Sequence, residues 1–195
     1  STGHEISHLD LGGGLGIPYS DESLADLNAY NQIILETVGD LDCKLSIEPG
    51  RYLVGEAGIL ITRVIYIKQG DQKKFVIVDG AMNDLIRPTL YDGFHAIVPV
   101  TEKNLSSQKS LCDVVGPICE SGDYFAKDRM LPEVSQNDLL AITCSGAYGA
   151  VMASNYNSRP LIPEVLVSND VFSVIRERQA FEKIIQDEKL AAWLQ

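Results

Sequence analysis

The amino-acid sequence predicts an α/β segment followed by a β-rich domain of barrel or sandwich type, and three observations carry that reading. Residues 5–51 follow a strand, loop, helix, strand, loop rhythm. From Ile59 onward the apolar residues fall in short β-rich runs broken by polar turns. Residues 179–194 close the chain with apolar positions at helical spacing. The boundary between the two segments falls near Gly58, giving 1–58 and 59–195.

Residues 5–11 alternate loosely and run into Gly12, Gly13 and Gly14, a short strand followed by a loop built for close backbone approach. Residues 23–38 place Leu24, Leu27, Ile33, Ile34 and Val38 near helical spacing, with Asp21 and Glu22 toward the N-terminal end of the expected helix. Residues 43–47 form a second strand, closed by the loop Glu48, Pro49, Gly50, Arg51. Loops at the C-terminal ends of consecutive parallel strands are where a β/α barrel or an open α/β sheet gathers functional residues. Two such units cannot close a barrel, which takes about eight strands, so a truncated N-terminus is expected.

The second segment offers strands at 59–68 and 75–79 joined by a hairpin-like turn at 69–72, then at 96–100, 113–119, 139–144 and 164–167. Residues 172–177 are a candidate last strand. In the tail, Phe181, Ile184, Ile185, Leu190 and Trp193 share one side of an expected terminal helix.

Composition excludes several function classes. A formal net charge of −11, with no basic tract longer than Lys73-Lys74, repels phosphate backbones, so nucleic acid is not an expected partner. No apolar run reaches the roughly eighteen residues of a membrane span, and no signal-peptide pattern opens the chain, so no membrane association is expected. Cys43, Cys112, Cys119 and Cys144 form no C-x-x-C pair and no regular framework, which suits a reducing cytoplasm.

Several local patterns carry chemistry. The glycines from Gly12 to Gly16 either cradle a phosphate with unobstructed N–H groups or simply make a tight turn. A dinucleotide fingerprint counted from Gly12 would need glycine where Ile17 stands, and no Gly-Lys-Ser/Thr follows for a Walker loop. Glu48 and Arg51 at a strand end either face one ligand with opposite charges or form a surface ion pair. Cys119 lies in a loop beside Glu120, where a thiol suits donating a proton better than nucleophilic attack. Arg87 and Tyr91, four apart, share a carboxylate if a short helical turn follows Pro88. Tyr148 sits between small residues. His4 and His8 have no third ligand nearby, so no metal site is expected, and His95 reads as structural.

Five stretches, HLDLGGGLGIPY (8–19), SIEPGRYLVGEAG (46–58), AMNDLIRPTLY (81–91), GPICESGD (116–123) and GAYGAVMASNYNSRP (146–160), occur in order along nearly the whole chain. Together they resemble the C-terminal half of the fold-type-III pyridoxal-phosphate-dependent decarboxylases, and within that family the diaminopimelate decarboxylases. The resemblance implies the C-terminal part of a TIM-type β/α barrel holding pyridoxal 5'-phosphate, then a β-rich domain, in a head-to-tail homodimer with shared active sites. It assigns Gly13, Gly14, Glu48, Gly50, Arg51 and Tyr148 to the cofactor, with Glu48 pairing with the pyridine nitrogen. Arg51, Arg87, Tyr91, Glu120 and Tyr148 fall to the amino-acid substrate. Cys119 becomes the proton donor, reaching with Glu120 into the partner's site.

The implied reaction converts meso-2,6-diaminopimelate to L-lysine and carbon dioxide. An arginine- or ornithine-type decarboxylase and a non-catalytic decarboxylase-like dimerisation partner are the alternatives. The lysine that anchors the cofactor, and the histidine that stacks on it, belong in this family to earlier strands. Lys44 stands at the start of its strand and does not replace that lysine. This polypeptide alone is therefore expected to be inactive.

Overall fold

The computed structural model describes residue 3 and residues 5–194, without the side chains of Lys103 and Asn104; His4 lies outside the described residues. Strands β1 (His8–Asp10) and β2 (Lys44–Ser46) pair in parallel across helix α1 (Leu27–Val38). The helix starts four residues later than its apolar spacing suggests because Asp26, not the earlier acids, caps it: Asp26 Oδ1 accepts from the N–H groups of Asn28 (2.9 Å) and Ala29 (3.1 Å). Glu22 instead closes the preceding turn by accepting from Tyr19 N and Ser20 N. No residue of α1 is fully buried, and its apolar positions Leu27, Ile33 and Leu35 face solvent.

The loop expected at 48–51 turns into a short helix, α2 (Gly50–Val54). Beyond it lies a six-stranded sheet formed by β3 (Leu60–Gln69), β4 (Lys74–Val78), β5 (Ile97–Pro99), β6 (Lys109–Val115), β7 (Tyr124–Pro132) and β8 (Leu139–Ile142). The strand order is β5-β8-β3-β4-β6-β7, antiparallel except for the parallel β4–β6 pair. Its long member β3 pairs with β8 over Leu60–Arg63 and with β4 from Val64 onward, with a bulge between Val64 and Tyr66. Before the bulge Leu60, Thr62 and Val64 point inward while Ile61 and Arg63 point out, the period-two pattern of a half-buried strand. The edge strands β5 and β7 approach each other, so the sheet is nearly closed. Val64, Val76, Val78, Leu85, Val114, Phe125, Leu131, Leu140 and Ile142 fill its interior.

Three readings differ from the structure, two of them for identifiable reasons. Strand β7 escaped the pattern because Asp128 adopts a left-handed φ of 47° and the β6–β7 register shifts beside Asp113, which breaks the alternation. The terminal helix expected over 179–194 is reduced to a single turn, α4 and α5 being Glu102–Leu105 and Glu182–Ile185, with a 3₁₀ turn at Ala192–Leu194. Phe181, Ile185, Leu190 and Trp193 are exposed there; where the described residues offer no surface to pack on, a short amphipathic segment gains too little to propagate as a helix. The strand expected at 113–119 instead spans β6, ending before Gly116. The remaining pair, β9 (Glu164–Ser168) and β10 (Val171–Arg176), is an antiparallel hairpin apart from the main sheet.

The turn that follows α2 docks on the segment after β8 through backbone. Ser145 N donates to Gly58 O (2.8 Å) and Gly146 N to Gly55 O (3.0 Å). The approach is so close that any Cβ on Gly146 would strike Val54 O.

Because Leu140 is wholly buried while Leu24 is 63% exposed, Leu140→Ala is expected to lower the unfolding free energy by about 2–5 kcal/mol. Leu24→Ala should change it by less than about 0.5 kcal/mol. Urea titration of both variants, followed by circular dichroism, measures the difference.

Candidate functional site

Parallel pairing delivers the first two loops to the same end of β1 and β2. Leu11 N donates to Ser46 O and Glu48 N to Gly12 O (2.8 Å), so the glycine loop and the Glu48–Arg51 turn run side by side. Asp10 Oδ1 accepts from Gly12 N (2.7 Å) and holds the loop at its root. Gly12 and Gly14 take φ values of +74° and +99°, which L-residues rarely adopt, and a Cβ on Gly13 would sit 2.7 Å from Glu48 O. The N–H groups of Gly13, Gly14 and Gly16 have no acceptor among the described residues, and nothing lies within 4 Å of where a Cβ on Gly14 or Gly16 would be. Such a loop fits the oxygen atoms of a phosphate.

Arg51, in the first turn of α2, lies between two aromatic rings, its guanidinium carbon 5.6 Å from the centroid of Tyr148 and 5.9 Å from that of Tyr19. Tyr148 is half-exposed and held at a left-handed φ of 59°, a costly conformation for a tyrosine. The same Tyr19 ring is faced by Arg87, at 4.6 Å. Two arginines and two tyrosines thus converge beside the glycine loop, and Tyr19 approaches His95 edge-on at 5.3 Å.

Arg87 opens α3 (Arg87–Tyr91), the helical turn expected around Pro88. Asp92, at a left-handed φ of 52°, ends it. Tyr91 lies one turn along the same helix and is exposed. His95, read as structural, is fully buried, and its Nε2 lies 2.8 Å from Arg87 Nη1. Burial holds the His95 imidazole below the usual histidine range, the positive charges of Arg87 and Arg129 push the same way, and the Thr143 carbonyl pulls back.

Cys119 and Glu120 occupy a separate loop. Asp123, buried, accepts from Met82 N (2.7 Å) and Ile118 N (2.9 Å), tying residues 116–123 to the segment that precedes α3. Thr89 Oγ1 donates to Gly122 O, fastening the loop to α3 itself. Cys119 is exposed and free. Glu120 accepts from Gly122 N (3.1 Å) and from the Tyr156 hydroxyl (2.8 Å). Those two hydrogen bonds, the backbone one first, and a lesser one from the Ser121 backbone hold its carboxyl below the usual glutamate range, and Glu120 in turn pushes the Tyr156 hydroxyl up. Neither Cys119 nor Glu120 hydrogen-bonds or pairs with Arg51, Arg87 or Tyr148 among the described residues.

Comparison with known proteins now bears on this geometry. The family described as pyridoxal-dependent decarboxylase, C-terminal sheet domain, matches residues 20–146. The chain belongs to this family. Diaminopimelate decarboxylase of Zymomonas mobilis is 48% identical over 195 residues, covering 99% of this chain and 46% of that protein. The Neisseria meningitidis serogroup A enzyme is 50% identical over 188 residues, covering 96% and 46%. The crystal structure of Helicobacter pylori diaminopimelate decarboxylase complexed with L-lysine superposes with a TM-score of 0.86 at 47% identity, covering 93% of this chain and 44% of that one. The chain therefore spans about half the length of the curated relatives it matches. No helix among its described residues is long and apolar enough to cross a membrane.

Tyr19, Thr89 and Tyr156 went unassigned in the sequence, where His95 reads only as structural. Tyr19 and Tyr156 lie inside quoted motifs, and His95 is a polar residue within the otherwise apolar run from Phe94 to Val100, a position where burial demands hydrogen-bond partners.

Removing the Tyr156 hydroxyl takes away the one side-chain bond among those that favour the Glu120 carboxylate. Tyr156→Phe is therefore expected to move the Glu120 titration upward, toward the ordinary glutamate range, as followed by the carboxyl-carbon chemical shift. An unmoved titration would assign the depression to the backbone N–H groups of Gly122 and Ser121.

Proposed function

We propose that this chain is the C-terminal part of a pyridoxal-5'-phosphate-dependent carboxy-lyase that converts meso-2,6-diaminopimelate to L-lysine and carbon dioxide. The observation that supports it most is the convergence of Arg51, Arg87, Tyr19 and Tyr148 beside an open glycine loop. That is a site for a phosphate together with a second anionic group. Relatives of the same description at 48–50% identity point to the same substrate. Residues 1–58 then complete the barrel side of the site, and residues 59–195 form the β-rich domain that closes over it.

The residues of this chain divide the work. The N–H groups of Gly13 and Gly14 receive the cofactor phosphate, with Gly50 and Arg51 alongside; Glu48 accepts from the protonated pyridine nitrogen; and Tyr148 borders both cofactor and substrate. When bound, the cofactor supplies a ring that takes up the electron pair left by the departing carboxylate. Arg51, Arg87 and Tyr91 hold the carboxylate at the far end of the substrate, and Glu120, kept ionised by Gly122 and Tyr156, holds the far ammonium. Cys119 delivers the proton that replaces the lost carboxylate.

Cys119 and Glu120 are exposed, and among the described residues their loop makes no direct bond to the arginine pair. In a homodimer with shared active sites, that loop serves the neighbouring subunit. The anchoring lysine lies outside this chain: Lys44 opens β2 at the end opposite the loops. The chain by itself does not decarboxylate, and the setting is the cytoplasm, where its exposed thiol stays reduced.

The test uses the full-length polypeptide loaded with pyridoxal phosphate, assayed for carbon dioxide and L-lysine from meso-diaminopimelate. Turnover is expected, and Cys119→Ala should lower kcat by about 10²–10⁴-fold. Absence of lysine formation, or preferred turnover of arginine or ornithine, would overturn the reading.

A further inference from the structure

Arg87 is a buried cation with no carboxylate partner among the described residues. Its Nη1 meets His95 Nε2 at 2.8 Å, and on the far side of the imidazole Nδ1 meets the Thr143 carbonyl at 2.8 Å. The chemistry of the two neighbours leaves one arrangement. A guanidinium has N–H donors only and a peptide carbonyl only accepts, so His95 must donate from Nδ1 to Thr143 and accept at Nε2 from Arg87. The histidine is therefore neutral, with its tautomer set by β8's end on one side and α3 on the other.

Burial and both neighbouring cations favour that state, against the Thr143 carbonyl alone. Arg87 lies on one edge, Arg129 donates to the His95 backbone carbonyl (2.8 Å), and the Tyr19 ring packs against it edge-on. Among the described residues no acid faces the imidazole. Protonation would remove the acceptor and set two cations against each other.

We infer that His95 is a positioning residue for carboxylate recognition: as a neutral acceptor braced on Thr143, it fixes the Arg87 guanidinium while leaving its charge uncancelled for the substrate's far carboxylate. This inference rests on the assignment of Arg87 to that carboxylate. A carboxylate in place of His95 would hold Arg87 equally well but would compete with the substrate for its charge. A neutral imidazole occupies one N–H and leaves the remaining donors without an acceptor among the described residues.

The experiment uses the full-length polypeptide with its cofactor and compares inhibition constants for two ligands of the same reach, L-lysine and 1,5-diaminopentane, which lacks the carboxylate. His95→Leu is expected to weaken L-lysine by roughly tenfold or more, the worth of a hydrogen bond to a charged group, and to leave the diamine unchanged. His95→Gln, which keeps an acceptor and a donor, should retain most of the L-lysine affinity. Should His95→Leu fail to fold, His95→Asn, polar but too short to span from Thr143 to Arg87, takes its place against His95→Gln. Arg87→Gln should show the same selective loss as His95→Leu.

Equal weakening of both ligands by the His95 variants would mark a merely structural residue and overturn the inference. So would an unchanged ratio of the two constants in those variants while Arg87→Gln changes it. An unchanged ratio in Arg87→Gln as well would show instead that the carboxylate assignment of Arg87 is wrong.

Discussion

The candidate site depends on one close backbone approach, that of residues 145–146 against residues 54–58. Two peptide hydrogen bonds join the segments, Ser145 N to Gly58 O and Gly146 N to Gly55 O, and glycine is required where the chains pass because a Cβ on either Gly58 or Gly146 would enter the other's backbone. Each such bond contributes only about 1 kcal/mol, yet their geometric consequence is large. The contact sets Tyr148 against Arg51 and carries the end of β8 to the loop that follows β1. There Cys144 Sγ reaches Pro18 O, and the next residue, Tyr19, lies between Arg51 and Arg87. Elements distant in sequence therefore meet at one ring because the backbone at this point is unobstructed.

A second constraint is polar and buried. Between β4 and α3 the chain turns inside the sheet mouth, and its backbone groups find partners in side chains: Gly80 N in Thr62, Ala81 N in Asp84, Met82 N in Asp123. Burial pushes the Asp84 carboxyl up, while the Ala81 N–H and Arg159, 3.5 Å away, pull it back. Gly116 must lack a side chain because Asp123 fills the space beside it. Such a network costs desolvation and returns definition of geometry. Here it fixes the start of α3 relative to the Cys119 loop and, through Asn83 Nδ2 and Ser154 O, relative to the segment that presents Tyr156. The proposed proton donor and the proposed carboxylate-binding helix are thus mounted on one polar frame.

Much of this could be read from residues alone, and the failures share a cause. The β1–α1–β2 unit, the change to β structure after Gly58 and the hairpin around Gly70 follow from local periodicity and turn chemistry. For the same reason the adjacency of the glycine loop and the Glu48–Arg51 turn was foreseeable, since parallel strands deliver successive loops to one end. The turn at Arg87–Tyr91 was legible from Pro88. What local pattern could not carry is anything decided by partners far along the chain. Asp128 breaks the alternation of β7 because it bulges toward Asp113, fifteen residues earlier; Asp128 N donates to Asp113 Oδ1. His95 looked isolated because its partners, Arg87 and Thr143, come together only when β5 pairs with β8. Residues 179–194 have the spacing of a helix but, among the described residues, no surface to pack on, and packing, not spacing, stabilises short helices.

The electrostatics of the site run against those of the whole chain. With a net charge of −11, the long-range field disfavours anions, yet the convergent groups, Arg51, Arg87 and the free N–H groups of the glycine loop, are suited to anions. Salt resolves the conflict by distance, because fields from exposed acids fade over roughly 8–10 Å while groups in contact with a ligand are little screened. The site therefore depends on its own few cations keeping their charge. Arg87 would lose that advantage if it were held by an acid, as buried arginines commonly are. It is held instead by a ring face and a neutral imidazole, both of which restrain a guanidinium without neutralising it. Preserving an uncompensated buried cation costs folding free energy, and that cost is physically sensible only where an anion arrives to complete the site.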